Sequence, residues 1–283
     1  CRRRVLASAR PLVYVRSHDQ FARVGKSGWN HPMKTTELQA KSERIAKVIA
    51  RSGLCSRREA ERWIEDRRVK VNGKIIDSPA LAVSETDAVA VDGSPLPDRP
   101  YSRVWRYHKP PGLVTTHADP QQRPTVFQRI PKELGRVISV GRLDLGSEGL
   151  LLLTNDGELA GHMERPASGW TRRYRVRAFG TVEPERLSAL SRGIKIDGVA
   201  YGPIEASLDK SQGSNIWLTM ALKEGKNREI RKVLEHLGLT VNRLIRTSYG
   251  PFQLGSLARG QVSEVPRKAL REQLGNSVHK FRK

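Results

Sequence analysis

Four consecutive leucines, residues 150–153, constrain this chain more than any other stretch. The run is far too short to span a bilayer, which needs roughly 20 apolar residues. It has the length of a strand buried inside a sheet. It lies within VISVGRLDLGSEGLLLLTNDGELAGHM, residues 137–163. Residues 137–140 predict a second strand. Asp156 predicts the cap of a helix carrying Leu159, Ala160 and Met163. Between the strands lies a glycine-rich loop, residues 141–149, holding Arg142 and Asp144. An Arg and an Asp two apart on an extended segment point to one face. Glycines at 141, 146 and 149 let a backbone or a flat ligand approach closely. An ionised carboxylate can act as a nucleophile, and a neighbouring guanidinium favours that form. It can equally hold a turn as a structural ion pair, and spacing alone weighs the two readings evenly.

Charge narrows the partner. The chain holds 51 Lys and Arg against 29 Asp and Glu, a net +22 over 283 residues. That excess argues for a polyanionic partner, nucleic acid first. It is uneven: residues 101–283 carry 31 basic and 17 acidic groups, residues 41–100 carry 12 and 10. The two cysteines, Cys1 and Cys55, make no disulfide framework. No C-x-x-C, H-E-x-x-H, phosphate-binding G-x-x-x-x-G-K-[ST] or G-x-G-x-x-G motif occurs, so neither zinc nor nucleotide chemistry has support. Residues 1–41 lack periodicity and are expected to be a disordered extension. Met33 is the expected natural start, with residues 1–32 upstream of it.

Residues 42–97 read as a small module. Ile45, Val48 and Ile49 stand at helical spacing, and Gly53 stops that helix. Ser56 with Glu59 forms a capping box for a second helix, whose stripe is Ala60, Trp63 and Ile64. Residues 69–71 alternate as a strand, Asn72-Gly73 supplies a tight turn, and Ile75-Ile76 returns. Residues 89–91 predict a third strand. Three prolines in residues 94–100 predict a semi-rigid linker and a domain boundary.

The stretch RIAKVIARSGLCSRREAERWIEDRRVKVNGKII resembles the RNA-binding domain named after ribosomal small-subunit protein four, the S-four domain. In that family the second helix and the adjacent turn meet RNA phosphates, which implies this role for Arg57, Arg58, Arg62 and Lys74. An isolated helix with such arginines would more often be a solvated face.

Residues 101–266 read as a β-rich segment. Strands are expected over residues 101–108, 113–116 and 170–176, and a hairpin over 193–203. Asn227 is expected to cap a helix with Ile230, Val233, Leu234 and Leu237, ended by Gly238. Residues 267–283 read as a basic tail.

GRLD followed by a hydroxyl residue, then GLLLLTNDG, resembles the signature of pseudouridine synthases of the RsuA/RluB type, which carry an N-terminal S-four domain. The resemblance runs from about residue 42 to about 266. It implies an α+β fold: the small RNA-binding domain, then a mixed, mostly antiparallel catalytic sheet with flanking helices. It implies Asp144 as the catalytic aspartate, Tyr174 as the aromatic that stacks on the flipped uracil and assists proton removal, and Arg231 pairing with the aspartate. Ile230 would pack beside the tyrosine. Arg142 and Arg228 would contact RNA. No cofactor or metal is implied. The partner is ribosomal RNA or a pre-ribosomal particle, acted on by a cytoplasmic monomer without a membrane.

Three positions depart from the commoner pattern: Ser147 where threonine is frequent, Gly146 where a side chain is usual, and Glu164-Arg165-Pro166 where His-Pro is often found. Large-subunit RNA of the RluB type is the favoured target. The alternatives are small-subunit RNA, or a non-catalytic RNA-binding or assembly factor. A hydrolase lacks a second acidic partner beyond Glu148 and Asp156.

Overall fold

A computed structural model describes residues 42–274. The expectations for residues 1–41, Met33 included, and for 275–283 lie outside the described residues. Elements are labelled in chain order.

The small module runs β1 (Glu43–Arg44), α1 (Ile45–Arg51), α2 (Arg57–Glu65), β2 (Val69–Val71), β3 (Lys74–Ile75), β4 (Ala82–Val83), β5 (Val89–Val91) and β6 (Ser94–Pro95). The capping box at α2 forms: Ser56 Oγ accepts from Glu59 N at 3.1 Å, and Glu59 accepts from Ser56 N at 3.4 Å. Asn72 and Gly73 both take positive φ, 50° and 80°, as the expected tight turn between β2 and β3 requires. Asp92 and Gly93 repeat the same pair of angles, so the chain turns again and β6 pairs with β5. The proline-rich stretch therefore starts as an edge strand, not as linker. Pro95 is tolerated there because an edge position does not demand its missing N–H. Ile45, Ile49, Ala60, Ile64, Val69 and Val91 close a core of their own.

The larger part continues with β7 (Val104–Lys109), β8 (Ile138–Val140), β9 (Ser147–Thr154), α3 (Gly157–Glu164), β10 (Arg172–Phe179), α4 (Pro184–Ala189), β11 (Ile194–Ile196), β12 (Val199–Tyr201), β13 (Ile204–Gln212), β14 (Asn215–Leu222), α5 (Glu229–His236), β15 (Thr240–Tyr249), β16 (Phe252–Gln253), β17 (Val262–Glu264) and α6 (Arg267–Leu274). One mixed, mostly antiparallel sheet runs β13-β14-β10-β15-β9-β7-β17, with β8 beside β9 and β16 beside β15. The architecture is α+β. Only the β9–β15 contact in this sheet is parallel.

The leucine run lies in β9, whose eight residues are all buried. Leu150 and Leu152 pack into one core with α3, Tyr249, Phe252 and α6. Leu151 and Leu153 pack on the opposite face with Trp105, Tyr107, Val126 and Leu143. A strand covered on both faces has no reason to alternate, which is why the sequence reads as an unbroken apolar run. A third core lies under β10, β13 and β14, closed by α4 and α5.

Several local expectations fail. Residues 113–116 form no strand; Val114 makes a single bridge to Thr125. The helix at 229 is not capped by Asn227: its N-cap is Arg228, in left-handed conformation with φ 53° and no side-chain cap. The segment 267–283 begins as a docked helix, with Leu270 and Leu274 buried.

The module is tied to the larger part by charge. Lys47 pairs with Glu158 at the start of α3, and Arg51 reaches the same carboxylate at 3.7 Å. Arg99 joins from the connecting segment, 2.8 Å from Asp156 and 3.6 Å from Glu158. Asp156 is also the cap expected for α3, accepting from Glu158 N at 2.8 Å and Leu159 N at 3.2 Å.

Candidate active site

A cavity of about 920 Å³ opens on the sheet face where two of the cores meet, and Tyr174 packs against both of them. Asp144 lines it, on the loop between β8 and β9. Arg142, Tyr174, Arg228 and Ile230 line it too. Residues from three separate motifs, the glycine loop, β10 and the start of α5, thus converge on one space.

Register explains the convergence. Gly149 of β9 stands beside Arg246 of β15, Arg246 beside Tyr174 of β10, and Tyr174 beside Met220 of β14. Neighbours in register share a face of the sheet. Tyr174 and Arg246 therefore both face the cavity, and the loop ending at Ser147 delivers Asp144 to the same side. Ile230 is buried in the core under β10, the cluster against which Tyr174 also packs.

The expected Arg231–Asp144 ion pair does not form among the described residues. Arg231 instead donates to Val241 O and to Gly146 O, both at 3.1 Å. It grips the Asp144 loop by its main chain. Burial, then the nearby Arg228 charge, lower the Arg231 pKa, while Asp144 acts to raise it. The aspartate thus lies in the field of Arg231 without touching it.

A residue that sequence reasoning passed over lies beneath the loop. Lys109 is fully buried, and its ammonium donates to Pro110 O at 3.2 Å, Asp144 O at 3.1 Å and Ser147 O at 2.8 Å. Burial pushes its pKa down to about 8, against an opposing pull from Asp144. In the sequence it is a single lysine ahead of Pro110, Pro111 and Gly112, and nothing local shows that its side chain reaches a loop 35 residues on. Arg246 was missed for a like reason. It is buried, donates through Nε to Leu150 O at 2.7 Å, and lies over the Tyr249 ring. Arg172 completes this wall, donating to Tyr249 Oη at 3.0 Å. Glu229 also lines the cavity; burial raises its pKa, and it accepts from Lys226 N at 2.8 Å, which holds the turn before α5.

Lys109 makes a specific prediction. Lys109→Met should lower turnover on the order of 10²-fold, the loss typical of a misplaced reacting group. Melting should change little, because two effects oppose. Three carbonyls lose a donor, but a charge that burial disfavours by about 3 kcal/mol is removed. The pH dependence separates them. Between pH 8 and 10.5 the unfolded chain keeps a proton at this lysine that the folded chain has released, so wild-type stability rises with pH. That rise should be missing from the melting curves of the variant.

The four module residues Arg57, Arg58, Arg62 and Lys74 are exposed, and none lines the cavity. Among the described residues no ion pair occupies them. Arg68, by contrast, is committed to Asp92 at 2.6 Å and to the Trp63 ring. Among the described residues no group of three or more His, Cys, Asp or Glu could hold a metal ion, and no helix is long and apolar enough to cross a membrane.

Comparison with known proteins follows the same division. Residues 103–236 match the family described as RNA pseudouridylate synthase, and residues 43–89 match the S4 domain. An uncharacterized RNA pseudouridine synthase from Rickettsia bellii is 50% identical over 226 residues, 80% of this chain and 98% of that protein. Ribosomal large subunit pseudouridine synthase B from Escherichia coli O157:H7 is 43% identical over 233 residues, 79% of this chain and 80% of that protein. A crystal structure of a pseudouridylate synthase superimposes with a TM-score of 0.56 at 26% identity, covering 84% of this chain and 99% of the other.

Proposed function

This chain belongs to the RNA pseudouridylate synthase family, and we propose that it isomerises one uridine of large-subunit ribosomal RNA to pseudouridine. The observation that carries the reading is the placing of Asp144 and Tyr174 in one cavity ringed by cations. The large-subunit target is supported by identity to the E. coli enzyme over four fifths of its length.

Uridine in a folded RNA must be flipped out to be reached, at a cost of a few kcal/mol. Arg142 and Arg228 at the cavity offer phosphate contacts that offset it. Asp144 attacks the flipped nucleotide and the bond from ribose C1′ to uracil N1 breaks. The base rotates within the cavity, stacked on Tyr174, and C5 bonds to C1′ as the bond between the nucleotide and Asp144 breaks and frees the carboxylate. The proton on C5 leaves with help from the Tyr174 hydroxyl, and N1 ends protonated, so the reaction is an isomerisation. Lys109 and Arg231 hold the loop through its carbonyls and position Asp144 for attack. Arg57, Arg58, Arg62 and Lys74 give the small module a second grip on the RNA, by position more than by bulk charge. Residues 42–97 and 101–266 act as its two domains. The protein works as a cytoplasmic monomer on ribosomal RNA or a pre-ribosomal particle.

Pseudouridine mapping of ribosomal RNA from cells lacking the gene tests this reading. One large-subunit position should revert to uridine. An unchanged map sinks it, and loss of a small-subunit position reassigns the target.

A further inference from the structure

The sheet has a second face. On β10, Tyr174, Val176 and Ala178 point to the cavity and its core, while Arg173, Arg175, Arg177 and Phe179 alternate outward and are exposed. Three of four outward positions are thus arginine. The fourth is a phenylalanine 52% exposed. Across the strand pairs, Arg177 is flanked by Trp217 of β14 and directly opposed by Arg243 of β15. Arg175 lies 4.7 Å over the Trp217 ring.

Like charges set directly opposite work against strand pairing. An antiparallel sheet that merely faces water has no need of them. Neutralisation is partial. Arg243 is paired with the buried Glu148, and Arg175 stands 3.9 Å from Asp209. Arg173 and Arg177 have no ion pair or side-chain hydrogen bond among the described residues. On the other half of the sheet the same face is covered by α3 and α6, but no described helix covers this half.

We propose that this outer face of β10, β14 and β15 is a second RNA-contact surface, on the side of the sheet opposite the Asp144 cavity. Arg173 and Arg177 take phosphates, and the exposed Phe179 offers a ring on which an unpaired base stacks. The proposal rests on RNA being the substrate, and it adds that the protein holds a part of the RNA remote from the modified uridine.

The test uses the full chain and a full-length large-subunit ribosomal RNA transcript in filter binding at several salt concentrations. R173Q/R177Q removes two phosphate contacts. It should bind roughly 10–100-fold more weakly at 0.1 M salt, with the slope of log affinity against log salt reduced by about 2. Turnover at saturating RNA and the melting temperature should match wild type. R186Q/R192Q removes the same charge from exposed positions on the α4 side. It should bind nearly as wild type. Unchanged affinity of R173Q/R177Q overturns the proposal and points to a protein partner for this face. Equal weakening of both double variants overturns it as well, because bulk charge then suffices. A wild-type protein that binds the transcript but forms no pseudouridine in it or in a pre-ribosomal particle refutes the catalytic reading and leaves the binding comparison intact.

Discussion

Asp144→Asn should abolish pseudouridine formation, with a loss on the order of 10⁴-fold or more, while RNA affinity stays within about threefold of wild type. The substitution keeps the shape of the side chain and removes the carboxylate that attacks. It leaves the loop anchored, because the anchors are main-chain: Lys109 and Arg231 bond the carbonyls of Asp144, Ser147 and Gly146, not the carboxylate. The melting temperature should therefore hold. Single-turnover assays with saturating enzyme separate chemistry from binding. Turnover retained by the amide would take Asp144 out of the nucleophile's role. Turnover lost together with RNA affinity would place it in binding instead.

Gly149→Ala should be the most damaging small substitution on the same loop, lowering stability by at least about 4 kcal/mol. A Cβ at Gly149 would lie 2.3 Å from Arg246 O and 2.6 Å from Arg246 N, with the residue held at φ 106°. Backbone cannot swing aside as a side chain can. The strands would have to part at their one parallel contact, which carries Arg246 beside Tyr174. Gly146→Ala is the control. Its Cβ would meet only Arg231 Nη2, at 3.6 Å, an ordinary contact. Thermal melting should show Gly146→Ala near wild type and Gly149→Ala strongly lowered. Equal effects from the two would mean that the close approach at Gly149 does not govern the fold.

That contrast marks how far the sequence could be read. It presented three loop glycines as places of close approach for a backbone or a ligand, without telling them apart. Elements whose cause is local were legible: the Ser56–Glu59 capping box, the Asn72-Gly73 turn, the buried leucine strand, and the helix begun by Asp156. Each depends on residues within a few positions of one another. Where a local signal competed with tertiary demands, it lost. Residues 113–116 look like a strand but stand in a connection that only bridges to Thr125. Asn227 looks like a cap, yet the turn from Lys226 to Glu229 puts Arg228 in that place.

The candidate site divides in the same way. The sequence by itself named the candidates, through the family resemblance that its motifs carry: a lone Asp144 in a glycine loop, Tyr174 on an alternating strand, Ile230 and Arg231 on an amphipathic helix. Only the tertiary structure decided what they touch. Arg231 holds Gly146 and Val241 rather than the aspartate, Lys109 reaches the loop from 35 residues away, and Arg246 comes to lie between Gly149 and Tyr174. The reason is physical. A side chain's identity and its local backbone follow from short-range sterics and hydrogen bonds, which neighbouring residues specify. Its partners follow from strand register and from burial over long separations, and these are set only when the whole sheet has formed.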